Sequence, residues 1–129
     1  MRGLVGFTAV LRHAGERIAR LERAGADVIV GLTHLDMADD RRIAALRARH
    51  PKLLWIAGVH EHYLQEVPLT DSTALVSKGD ANARRVWRVA IGRRRDGTPA
   101  IDAEMVAVDR TIALDAGSQR EVAARWRGE

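Results

Sequence analysis

The sequence contains no cysteine, which excludes disulfides and thiolate metal ligands and leaves the redox compartment open. Aromatic side chains are confined to Trp55, Trp87, Trp126, Tyr63 and Phe7, too few and too scattered for a base-stacking platform. Lysine is scarce, with Lys52 and Lys78 standing among many arginines. No run approaches the roughly 18 apolar residues of a membrane helix, and no signal-peptide pattern opens the chain. The expectation is a soluble protein with no membrane partner.

What is present is ordinary for a globular chain. At 129 residues, 47% apolar and 29% charged, it is expected to form a single domain over 1–129. The net charge of +4 is mild and interleaved with acids, so it permits an anionic partner without demanding one. Scattered arginines place specific nucleic-acid binding well behind other readings.

The hydrophobic pattern predicts an α/β fold. GLVGFTAV (3–10) suits a short strand, and 12–24 carries Ala14, Ile18 and Leu21 at helical spacing up to Gly25. DVIVGL (27–32) and LLWIAG (53–58) are apolar on both faces, as parallel strands covered on both sides are. A helix over about 38–49 ends before Pro51. This β-α-β-α-β order calls for parallel strands with crossover helices. TALVSKG (73–79), RRVWRVAIG (84–92) and AIDAEMVAVD (100–109) then follow without helices between them. The last two alternate, placing Trp87, Val89 and Ile91 on one side, and Asp96-Gly97 between them signals an antiparallel hairpin. A helix over about 115–126 closes the chain.

Three histidines fall at strand ends. His34 follows DVIVGL; His60 and His62 follow LLWIAG in the segment GVHEH. Open α/β sheets bind ligands beyond the carboxyl ends of their strands, so neighbouring strands would bring three imidazoles to one place. Neutral imidazole suits Zn, Mn, Fe or Co, at about 2.0–2.1 Å for zinc. The plainer alternative is that each histidine is a polar strand-end residue bonded to backbone.

GADVIVGLTHLDMADDRRIAAL followed by LLWIAGVHEHY resembles the second half of the calcineurin-like metallophosphoesterase domain, especially its 5′-nucleotidase branch. That family carries an "LTH" strand end and a "GGHxH" strand end separated by one helix. STALVSKGDANARRVWRVAIG is similar to the strand pair that follows in the family, and VAVDRTIALDAGSQREVAARW to its closing segment and exit helix. The likeness runs in order along nearly the whole chain. It implies the C-terminal half of an αββα sandwich, a hydrolase of nucleotides or related phosphate esters, and divalent metal ions as cofactors. By the same resemblance His34 and His60 are ligands of one metal of a dinuclear site, and His62 serves the other. In such sites two cations bridged by a carboxylate clamp phosphoryl oxygens and generate the attacking hydroxide.

The departures are as specific. The family's opening motifs, D-x-H, G-D-x-x-D and G-N-H, supply the bridging aspartate and the remaining ligands, and none precedes His34. Val59 stands where the family usually has glycine. The expected partners are therefore a phosphate-ester substrate and a missing N-terminal half. By itself the chain is expected to be inactive and to hold at most one ion, weakly. The alternative function is a non-catalytic metal-binding or partner-binding remnant of the fold. Other conspicuous residues read as structural. Asp39 and Asp40 open a helix, Asp36 lies beside the LTH turn and Asp80 belongs to a turn. Arg93, Arg94 and Arg95 form a solvated hairpin loop, while His13 and His50 lie on the surface.

Overall fold

The computed structural model describes residues 2–126, with side chains from residue 6 onward. Its first element corrects the strand expected at 3–10: α1 is one helix, Arg2–Arg23. The β-branched residues there favour a strand only weakly, and the apolar stripe decides the matter. Phe7, Leu11, Ala14 and Ile18 recur at steps of four, three and four and face the core. The helix stops as Gly25 takes φ 89°. Gly25 N–H then donates to Glu22 O and Ala26 N–H to Leu21 O, both at 3.0 Å, the paired bonds of a glycine-terminated helix.

Two sheets follow. In the first, β1 (Ile29–Thr33), β2 (Leu53–Gly58) and β4 (Leu75–Lys78) run parallel, and the short β3 (Gln65–Val67) pairs antiparallel with β4, in the order β1-β2-β4-β3. The register sets Thr33 beside Gly58 and Gly58 beside Lys78, so three strand ends finish level. Between β1 and β2 lies α2 (Met37–Ala44), whose last turn tightens into a 3₁₀ turn over Ala45–Ala48. Asp36 caps α2, its carboxylate accepting from Asp39 N–H at 2.9 Å. The buried face of α2 is Met37, Asp40, Ile43 and Ala44. Ile43 and Met37 pack with Phe7, Ile18, Ile29, Leu53, Ile56 and Val76 to make the core.

Central position and burial agree for β2, where Leu53, Leu54 and Ile56 are almost inaccessible. They do not agree for β1. It lies at the edge of the sheet, and Leu32 is 85% exposed, so the strand expected to be covered on both faces is covered on one.

The second sheet is the hairpin of β5 (Arg85–Arg93) and β6 (Pro99–Ala107), paired antiparallel from Arg85–Ala107 to Arg93–Pro99. Trp87 and Val89 are half-buried while Val86, Arg88 and Ala90 face outward, as the alternation requires. At the tip Gly97 takes φ 84° and Asp96 accepts from Thr98. Trp87 joins the two sheets by donating its indole N–H to Lys78 O at 3.0 Å. Helix α3 (Ala116–Trp126) ends the described chain and buries none of its residues. Among the described residues no helix is long and apolar enough to cross a membrane.

Candidate metal centre at the strand ends

The level ends of β1 and β2 determine where the histidines stand. His34 is the first residue after Thr33, and Val59 N–H continues the pairing by donating to Thr33 O at 3.1 Å. The chain then turns sharply at His60, which has φ 109° in the region that favours glycine. That turn brings the His60 ring to 5.5 Å from the His34 ring, tilted by 59°. His34, His60 and His62 are all solvent-exposed and line one depression of about 360 Å³, with Glu61, Asp80 and Asn82. The floor is tied to the second half of the fold by Ala81 N–H, which donates to His62 O at 3.2 Å.

Shared lining is less than a coordination sphere. Among the described residues no three His, Asp or Glu side chains are grouped so that they could hold a metal ion. The nearby carboxylates are committed elsewhere. Asp80 pairs with Arg85 at 2.9 Å and accepts from Ala81 N–H at 2.9 Å. The hydrogen bond from Arg85 holds the Asp80 carboxyl below its usual range against the effect of burial. Glu61, the residue between the paired histidines, is engaged by other groups. Its Oε1 accepts from Met37 N–H at 2.6 Å and its Oε2 from Lys78. A dinuclear site with a bridging carboxylate is therefore not completed by these residues.

Lys78 and Asp40 form the part of the site that the sequence did not reveal. Both side chains are fully buried, and their charged atoms lie 2.9 Å apart. The ammonium also donates to Leu35 O, to Val59 O at 3.1 Å and to Glu61. Asp40 Oδ2 is the fourth oxygen around the ammonium, and Lys78 is the cation that holds the buried carboxylate. Burial works against the charged form of Lys78, but the hydrogen bonds and charges of Glu61 and Asp40 outweigh it and raise its pKa. For Glu61 burial pushes upward, and the bonds from Lys78 and Met37 bring its pKa down to about 2. The one signal for this cluster was a lysine inside an apolar strand, in a chain with only one other lysine, Lys52.

The remaining candidates separate cleanly. Asp39 is a first-turn helix acid, 3.5 Å from Arg42, whereas Asp40 lies inside the fold. Asp36 is the α2 cap. His13 is exposed, but His50 is not the surface residue expected: its Nδ1 lies 2.8 Å from Glu22 and its side chain is 18% exposed. The hairpin arginines are largely exposed, and Arg93 pairs with Asp27 at 2.6 Å.

Comparison with solved structures gives a likeness of fold. No family model matches the sequence, and no curated protein matches it. A candidate 5′-nucleotidase from Staphylococcus aureus, solved in complex with alpha-ketoglutarate, superposes on 85% of this chain at a TM-score of 0.54 and 16% identity. The superposed region is 24% of that protein, so the chain spans about a quarter of its length. At that identity the likeness is one of fold alone, a mixed α/β arrangement shared with part of that structure.

Proposed function

We propose that this chain is a phosphoesterase-type module presenting the histidine side of a divalent-metal site, with a nucleotide or related phosphate ester as the substrate class. The observation that carries the reading is the His34–His60 pair, two imidazoles 5.5 Å apart at the level ends of neighbouring parallel strands. His62, on the same depression, is the third proposed donor. Zn, Mn, Fe or Co are the ions such nitrogens suit. Imidazoles alone bring no negative charge, so hydrolysis requires carboxylates beyond those that line the depression here.

A second reading is favoured by the engagement of Glu61 with Lys78 and of Asp80 with Arg85. With those acids committed, the module would bind one ion, or a partner, without chemistry. Calorimetric titration with Zn²⁺ and Mn²⁺ tests the shared premise. The expected result is weak binding of a single ion, lost in a His34→Ala/His60→Ala variant. Equal heats from wild type and variant would remove the metal site from both readings.

A further inference from the structure

We infer that Lys78 is a positioning residue for the histidine pair, its ammonium tying the turn after β1 to the turn after β2. Besides the buried Asp40, its ammonium has three partners, and each lies next to a histidine in sequence. Leu35 O follows His34, Val59 O precedes His60, and the Glu61 carboxylate lies between His60 and His62. Glu61 closes the loop by accepting from Met37 N–H, three residues after His34. One side chain from the end of β4 thus fixes both turns to a common point.

The placement is costly if stability is its only use. A buried charge cluster is often no more stabilising than apolar side chains of similar volume, and methionine would fit the pattern of β4. The gain lies in defined direction. His60 has φ 109°, a conformation that persists only where its surroundings over-determine it. Bonds to the carbonyl before it and the carboxylate after it supply that constraint. Space for the device is reserved in the neighbouring strand. A Cβ on Gly58 would lie 2.6 Å from Asp40 Oδ2 and 3.1 Å from Lys78 Cε.

The inference rests on the proposed function for the use of the pair, and on geometry alone for how the pair is held. Its test therefore reads geometry. Ring-proton cross-peaks between His34 and His60, in protein labelled at histidine, are expected in wild type. Two variants break the tie. Lys78→Met/Asp40→Asn also removes the buried acid that would otherwise be left unpaired, and Glu61→Ala cuts the link at the surface end. In both, backbone amide dispersion should remain that of a folded protein while the His34–His60 cross-peak disappears. Zn²⁺ affinity should fall at least tenfold with it. A folded variant of either kind with an intact cross-peak overturns the inference. Wild type that shows the cross-peak but binds no Zn²⁺ overturns the proposed function, and the variants' cross-peaks still decide the role of Lys78.

Discussion

Gly58 shows how one residue carries several requirements. It ends β2, pairs with both Thr33 and Lys78, and leaves room for the buried ion pair. Because a methyl group there would meet Asp40 Oδ2 at 2.6 Å, Gly58→Ala should destabilise the protein by about 1–3 kcal/mol in chemical denaturation. Glu61 gives a pH prediction. Its folded-state pKa is lowered from 4.5 to about 2, so its stabilising effect is fully present above about 4.5 and is lost as pH falls towards 2. Other lowered acids, Asp80 among them, share that limb, so the comparison must be with Glu61→Gln. The variant should be less stable than wild type at pH 7, and the gap should narrow steadily between pH 4.5 and 2. A gap independent of pH across that window would mean that Glu61 is not held in its charged form. The histidines were legible in the sequence because they follow strand patterns. Asp40 was not, because an acid in the first turn of a helix is stabilised there whether or not it is buried.

At the scale of elements, what was legible depended on which pattern each segment repeats. β2, β4 and the β5–β6 hairpin were readable because apolar runs and strict alternation leave few other structures available. The strand expected over 3–10 failed because eight residues are too short a window. Extended to Ile18, the same segment shows the helical stripe that packs on the core. The edge position of β1 was unreadable for another reason: pairing partners are a property of topology, and its apolar residues do not report which of them is covered. Leu32, 85% exposed, and α3 carry apolar surface that the described fold does not use. In α3, Val122 is 61% exposed and Trp126 83% exposed. A Val122→Ser change should therefore alter unfolding free energy by less than about 0.5 kcal/mol, whereas Ile56→Ala in the core should cost about 2–5 kcal/mol. Urea melts of the two variants compare them directly. A large loss from Val122→Ser would mean that α3 packs on the body in solution.

For the whole molecule the decisive quantity is charge at the strand ends. Two divalent cations about 4 Å apart repel by on the order of 15–20 kcal/mol at an effective dielectric constant of about 20. Neutral histidines offset none of this. The two carboxylates on the depression are held by Lys78 and Arg85, and recruiting either acid would break its ion pair, leaving the buried Lys78 with Asp40 alone in the case of Glu61. The residues described here are therefore expected not to hold two ions by themselves, however well His34 and His60 are placed. The expected outcome is that the purified 129 residues release no phosphate from AMP or from an aryl phosphate with Mn²⁺ or Zn²⁺ added. Joined to an N-terminal phosphoesterase half carrying D-x-H, G-D-x-x-D and G-N-H, the same chain should turn over, and His60→Ala should abolish that turnover. Measured phosphate release separates the cases. Robust release by the chain alone, lost on His60→Ala, would mean that Asp80 or Glu61 leaves its partner to complete the centre. An inactive fusion that binds metal normally would favour the non-catalytic reading, in which the committed carboxylates mark a site that has given up hydrolysis and kept its histidines.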